Sequence, residues 1–488
     1  MLLDFNLKQI LKELKAKGKP LPKEYLDLGL AFWLINPDEK DYSPENLSRR
    51  YLHEGFDPLA GGFSKLFQFA EKKLKGYKLE KLFHEVEMPL VEILADMELA
   101  GIKLDLKHLK DLDKKLEKQL TELAKDVYKK TKNTFNLNSP KQLGDILFNK
   151  LKIDLGGVKK TRGGAISTDV DTLLTIKDRH PVVPLILEYR ELFKLHSTYV
   201  RPLQELADAN GRVHTTYIQT GTATGRLSSQ NPNLQNIPAV GEWAKEVRKA
   251  FIAEKGFKLA ALDYSQIELR ILASLSSDPN MMEAFNNDVD IHKLTASQVF
   301  KVPLEKVTPD MRRLAKTLNF GVSYGMGANA FAKTSGLSVA EAKKFIQDYF
   351  ANFKKVREWQ EETKAQARQQ GFVTNLNGRR RLTLEASSMY SREAGEAERA
   401  AINMPVQGLA ADILKMAMVK IQEEFKGNKD VRLLLTIHDE LLFEIKENKV
   451  LEAVKEIKKI MESAYELEVP IRVEAKTGVN WGELTNLK

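Results

Sequence analysis

Apolar positions fall into two kinds of pattern along this chain. Leu109, Leu112, Leu116, Leu120, Leu123 and Val127 recur at three- and four-residue steps, which predicts a long amphipathic helix over about 109–133. Val450, Val454, Ile457 and Met461 form a second stripe, with the spacing of a helix laid on one face of a sheet. The run 28–35 is apolar throughout and helix-like. Strand-like runs occur at 213–218, 259–262, 433–445 and 471–475. The third is broken by His438, Asp439 and Glu440, a polar triplet between apolar stretches that reads as a tight β-hairpin. Helical stretches fill 267–410, and no internal repeat or low-complexity linker interrupts the chain. The pattern is α+β with a discontinuous sheet.

Two carboxylates stand where strands meet turns: Asp263 after the run 259–262, and Asp439 in the hairpin break. Alone, a strand-end aspartate is most often a turn former, because it bonds its own backbone. If the two strands are neighbours, the pair could instead hold two divalent cations about 4 Å apart, as in-line phosphoryl transfer requires. Between them, Thr308 can cap a helix with Pro309 at its first position. Arg312, Lys316, Phe320 and Tyr324 follow at four-residue spacing, two cations and then two aromatics along one face. That face suits a nucleoside triphosphate, with cations on phosphates and a ring on sugar or base. An amphipathic helix with a solvated basic face reads equally well from the helix alone; combined with the paired aspartates, the functional reading prevails.

Composition narrows the classes. The 488 residues suggest about three domains, and 43% hydrophobic content is enough for real cores. A net charge of +9 fits a polyanionic partner. The lysines on the helix 109–133 would grip a nucleic-acid backbone or simply be solvated, the commoner case for such a pattern. Segments 136–140 and 156–164 are loop-rich, and Lys159, Lys160 and Arg162 make the second basic, as suits phosphate contacts that carry no sequence information. No run is long enough to span a bilayer, and no secretory pattern opens the chain. The absence of cysteine excludes disulfides, cysteine-ligated zinc and thiol catalysis, and the eight histidines show no metal-binding spacing.

Five blocks in order resemble DNA polymerase family A, the group containing bacterial DNA polymerase I. They are Thr224-Gly-Arg226 through Pro238, Asp263-Tyr264-Ser-Gln266-Ile-Glu268-Leu-Arg270, the helix from Arg312 to Gly325, Asn403-Met-Pro-Val-Gln407-Gly, and His438-Asp439-Glu440. The similarity runs from about Glu85 to the C-terminus. The resemblance implies a right-hand fold with an antiparallel-sheet palm, helical fingers and thumb, and a small exonuclease-like remnant. Its expected limits are remnant 1–82, palm 83–106, thumb 107–206, palm 207–266, fingers 267–410 and palm 411–488. It implies DNA-directed DNA synthesis on primer-template DNA from dNTPs by a monomer, with two Mg²⁺ ions and Mn²⁺ as a substitute. Asp263, Tyr264 and Asp439 would hold metal, and Glu440 would assist. Arg312, Lys316, Phe320, Tyr324, Glu268, His292 and Gln266 would bind the nucleotide, with Lys316 protonating the leaving group and Glu268 and Tyr324 excluding a 2′-hydroxyl. Arg226, Arg399, Asn403, Gln407 and His438 would touch terminal base pairs, and Lys159, Lys160 and Arg162 would hold backbone at the thumb tip. Arg379-Arg380-Arg381 is either a template contact or a solvated basic turn.

In 1–82 the nuclease motifs are not found: Ile10 stands where a metal-binding Asp is expected, and Asp27 belongs to no acidic motif. The expectation is a remnant without proofreading or 5′ nuclease activity. Ser323 and Leu409 depart from the residues more usual in the family. The rival readings are a single-subunit RNA polymerase, which Glu268 and Phe320 oppose, and an inactive DNA-binding clamp, which the retained Asp263, Asp439, Lys316 and Arg312 oppose. The expected place of work is the cytoplasm at the nucleoid, or the host cytoplasm for a viral protein.

Overall fold

The computed structural model describes residues 1–154, 166–388 and 391–487; Lys159, Lys160 and Arg162 lie outside them. Its central feature is a five-stranded sheet in the order Val431–Ile437, Glu440–Lys446, Phe257–Tyr264, Val473–Gly478, Thr485–Asn486, with every neighbouring pair antiparallel. Leu259 to Leu262 are all buried, because both faces of the sheet are covered. Alternate residues serve different cores, as the two-residue period of a strand demands. Ala260, Leu262, Leu441, Phe443 and Ile445 join the core under helix Val450–Glu462. Leu259, Ala261 and Leu442 face the other way, onto Leu109, Leu112 and Leu116 of helix Leu106–Thr131. Both helical stripes read from the sequence are thus buried as expected.

The strand expected over 213–218 is two short strands in different sheets. Arg212–Val213 pairs with Ile102–Leu104, while Thr216–Ile218 pairs with Ser228–Gln230, and neither joins the central sheet. The break lies at His214 and Thr215, whose side chains bond the carbonyls of Glu98 and of Gln230 and Pro232.

The N-terminal region has its own core, built on the wholly buried helix Leu28–Ile35 with Leu66, Ala70 and Leu74, and it closes on Val91 and Ala95 of helix Met88–Ala100. Asp27 caps the apolar helix, accepting from the amides of Leu30 and Leu7 at 3.0 and 3.1 Å. Glu98, buried, takes Lys12 at 2.6 Å and also Lys8. The chain 267–410 is mainly helical, and helix Ser391–Glu424 passes through Pro405 and across position 410 without a break. Among the described residues no helix is long and apolar enough to cross a membrane.

Candidate active site

Strand pairing brings the two aspartates together. Asp263 lies opposite Glu440 on one side and Glu474 on the other, and the Tyr264 amide donates to the Asp439 carbonyl at 3.2 Å. The hairpin turn is tight enough to hold His438 at φ 55°, which projects Asp439 towards the central strand. The result is a crowd of like charge at one sheet edge. Asp263 faces the open cleft, yet the surrounding protein, then Glu440, Asp439 and Glu474, push its carboxyl up to about 7. Burial also raises Asp439, against the opposing pull of Arg226 and His438. A divalent cation would relieve this repulsion, so the donor set fits one. Tyr264 can offer only its main chain, because its hydroxyl is buried and bonds the Met461 carbonyl at 2.9 Å. Glu440 accepts from the Trp481 indole N–H at 3.2 Å, and Arg248 stacks on that indole at 4.1 Å.

Facing this edge across a cleft of about 420 Å³ is helix Pro309–Ser323, capped by the Thr308 side chain as expected. Arg312, Lys316 and Phe320 line the cleft together with Asp263, Asp439, Glu440, Gln266, Glu268, His292 and His438. Arg312 and Lys316 are exposed; Arg312 is paired with Asp290 at 2.7 Å. Gln266 ends the central strand in a left-handed turn that starts helix Ile267–Ser276. Glu268 follows in the first turn of that helix, buried and ion-paired with Arg226. Burial pushes Glu268 up to about 7 against the pull of Arg226.

His292 is buried beside Phe320, ring centroids 5.7 Å apart. Asn319 donates to His292 Nδ1 at 2.9 Å, and its own oxygen accepts from Thr295 at 3.0 Å. Burial of the ring keeps the imidazole neutral. Burial pushes its pKa down to about 4 from an ordinary 6.5, with Asp290 opposing and Arg312 and Lys316 adding to the fall. The folded value lies below the unfolded one, so on acidification the unfolded state takes the proton first. Stability from this site is intact above pH 6.5 and lost between 6.5 and 4. In a His292→Gln protein the Tm is therefore expected to fall less over that window than in the parent; equal falls would contradict the assignment.

Tyr324 caps the helix and does not line the cleft. The adjoining Gly325, at φ +70°, packs so close that a Cβ would lie 3.3 Å from Arg399 Cγ. Arg399, Asn403 and Gln407 share helix Ser391–Glu424, which runs through Pro405, so their four-residue spacing sets them in one polar stripe. A Cβ on Gly408 would sit 3.3 Å from the Thr224 carbonyl, which places the Arg226 loop against this helix beside Gln407. Ser323 is buried with its hydroxyl bonded to the Asn319 carbonyl, and Leu409 is wholly buried.

Three features differ from the sequence reading or were missed by it. Arg379 is neither a template contact nor a solvated turn: it is buried, bonded to Asp412 at 2.8 Å and paired with Glu87. Arg380 lies over Tyr77 and Phe372 at 4.0 and 4.2 Å. Histidine spacing showed no cluster, yet the fold brings His196 to Asp113 and Glu117. There Arg201 pairs with both carboxylates and supplies the positive charge. Glu474, Arg248 and Trp481 join the site through long-range packing and carried no motif, while Asn319 lay within the block from Arg312 to Gly325 without being singled out.

The chain matches the family model for DNA polymerase family A over residues 106–483. It is 44% identical over 473 residues to the thermostable DNA polymerase I of Thermus aquaticus, covering 95% of this chain and 56% of that protein. It is 40% identical over 490 residues to DNA polymerase I of Caldicellulosiruptor bescii, covering 98% and 57%. The similarity therefore reaches further towards the N-terminus than Glu85, and the chain spans about half the length of these curated relatives. A solved structure of the POL domain of Pol1 from M. smegmatis, in complex with DNA primer-template and dNTP, superposes with a TM-score of 0.94 at 36% identity, over 98% of this chain and 86% of that one. With the family model covering most of its length, the α+β sheet-and-helix architecture and these relatives, the chain belongs to DNA polymerase family A.

Proposed function

We propose that this chain adds deoxynucleotides to a primer 3′ end as directed by a DNA template. The observation that carries this is the meeting of Asp263 and Asp439 at one sheet edge, across the cleft from Arg312 and Lys316. Asp263, Asp439 and the main chain of Tyr264 would hold two Mg²⁺ ions, or Mn²⁺ in their place. Bound there, such ions lower the pKa of the primer hydroxyl and neutralise charge on the departing pyrophosphate.

The protein's own groups do the rest. Arg312 exchanges Asp290 for the triphosphate, and His292 Nε2–H donates to a phosphate oxygen. The primer hydroxyl releases its proton to water, its oxygen bonds to the α-phosphorus as the bond to the β-phosphate breaks, and Lys316 gives a proton to the pyrophosphate. Gln266 adds a polar contact at the nucleotide, and Glu440, tied to Trp481, adds negative charge beside the ions. Arg226, Arg399, Asn403, Gln407 and His438 line up with the terminal pairs, where minor-groove acceptors are alike for all correct pairs. Lys159, Lys160 and Arg162, with the lysines of helix Leu106–Thr131, are assigned to template and primer phosphates. We assign 107–206 as thumb, 267–410 as fingers, and the remainder after 82 as palm, working as a monomer in the bacterial cytoplasm.

Two selectivity results follow from the cleft wall. Glu268 lines the cleft wall and is assigned as the residue on which a 2′-hydroxyl would press. Relief of such overpacking is worth about 1–3 kcal/mol, so Glu268→Ala should raise relative ribonucleotide use roughly 10- to 100-fold. The same change strands Arg226, so deoxynucleotide addition should slow as well. Unchanged sugar preference would remove Glu268 from the gate. Phe320 lacks a hydroxyl; a charge-assisted hydrogen bond is worth about 1.5–3 kcal/mol, so Phe320→Tyr should improve dideoxynucleotide use at least about tenfold. Equal dideoxy termination in both proteins would contradict this.

Region 1–82 is proposed as an exonuclease-like remnant without proofreading, since Asp27 is taken up as a buried helix cap and Ile10 offers no ligand. A mismatched 3′ end should stay untrimmed without dNTPs, and trimming that tracks the purified protein would contradict it. The central test is template-matched extension of a primed DNA with Mg²⁺ and dNTPs, which Asp439→Asn should abolish.

A further inference from the structure

Beneath the Arg226 loop lies a buried cluster that the reaction itself does not use. Glu87, Asp412, Arg379 and Lys415 are all 3% exposed or less, two carboxylates against two cations. Arg379 bonds Asp412 at 2.8 Å and pairs with Glu87, which also takes Lys415 at 2.7 Å. Trp33, from the N-terminal region, covers both cations, with its ring 4.9 Å from Arg379 and 5.2 Å from Lys415. A cluster of this kind is rigid, because displacing one member leaves an uncompensated buried charge.

Three contacts lead from it to Arg226. The Trp33 indole N–H donates to the Thr222 carbonyl at 3.2 Å. The Thr222 hydroxyl donates to the Arg226 carbonyl at 2.8 Å. Gly225, at φ +88°, lies directly on Arg379: a Cβ there would be 2.6 Å from Nε. The loop is thus held at both its carbonyls and its underside, and Arg226 leaves it to reach Glu268.

We propose that Trp33 and the charge cluster are a positioning element for Arg226, through which the N-terminal region sets the speed of nucleotide addition without touching substrate. The proposal rests on the reading of Arg226 as a contact at the primer end. Its test is single-turnover extension by Trp33→Phe, which keeps the ring and removes the donor, and by Thr222→Val, which removes the hydroxyl. Loss of one such bond should slow addition about three- to tenfold, with KM for dNTP and Kd for primer-template unchanged. In an Arg226→Ala background neither change should slow the reaction further. Leu66→Ala, a cavity elsewhere in the same N-terminal core, should lower Tm and leave the rate at the parent value. Parent-like rates in both Trp33→Phe and Thr222→Val, or effects that multiply with Arg226→Ala, overturn the positioning role while leaving the reading of Arg226 intact. An equal slowing in Leu66→Ala also overturns it, pointing to general loosening. A parent-like rate in Arg226→Ala overturns both readings together.

Discussion

An Asp439→Asn protein is expected to bind primer-template normally and extend it at least about a thousandfold more slowly, a barrier increase of several kcal/mol. The replacement keeps the size of the side chain. The hairpin that carries Asp439 is held by its main chain, including the bond from the Tyr264 amide to the Asp439 carbonyl, so the turn should persist. What is lost is one of the carboxylates crowded at the sheet edge, and with it part of the negative charge that makes the edge a cation site. Asp263→Asn should behave alike. Because both groups serve one site, the double variant should be little slower than either single one. Gel-based single-turnover extension and a fluorescence anisotropy titration of primer-template separate the two effects. A loss of DNA binding that matched the loss of rate would assign the aspartates to the fold instead.

Lys316→Ala should cost roughly 10²- to 10⁴-fold in the rate of addition, the range for removing a positioned proton donor. Lys316 is exposed in the cleft one helical turn from Arg312, so little packing is disturbed by the change. The informative comparison is Lys316→Arg. A guanidinium restores positive charge at the phosphates but holds its proton too tightly to give it away. KM for dNTP should therefore recover in Lys316→Arg while kcat stays low. If kcat recovers with KM, Lys316 acts by charge alone and the leaving group takes its proton elsewhere.

Much of the fold was legible because its signals are local. The leucine stripe from Leu109 to Val127 and the stripe from Val450 to Met461 each specify a buried face within one helix. Thr308 followed by Pro309 marks a helix start, and a polar triplet between apolar runs marks the hairpin. From those, the meeting of Asp263 and Asp439 needed only one further assumption, that the strands are neighbours. The register of Glu440 on Asp263 meets it.

The misreadings all turn on contacts between distant parts of the chain. The run 213–218 reads as one strand, but tertiary bonds at His214 and Thr215 split it between two sheets. Arg379 looks like surface in a basic triplet, and only Glu87 and Asp412, far away in sequence, turn it inward. Nothing in sequence spacing joins His196 to Asp113, or Asn319 to the His292 it bonds. Pro405 would ordinarily interrupt a helix, yet helix Ser391–Glu424 runs through it with Met404 and Val406 buried on either side. Local pattern therefore located the carboxylates and cations that the cleft brings together, while the residues that hold them in place became visible only in three dimensions.

The central claim is that this cleft copies a template. Its most direct test is single-nucleotide extension of a primed DNA, with Mg²⁺ and one dNTP at a time, on four templates that differ only in the next base. The account predicts addition of the complementary nucleotide on each template, no addition without a divalent cation, and loss of the reaction in Asp439→Asn. Extension that ignores the template base, or that is equal in the parent and Asp439→Asn, would contradict it, as would a folded, DNA-binding protein that extends none of the four.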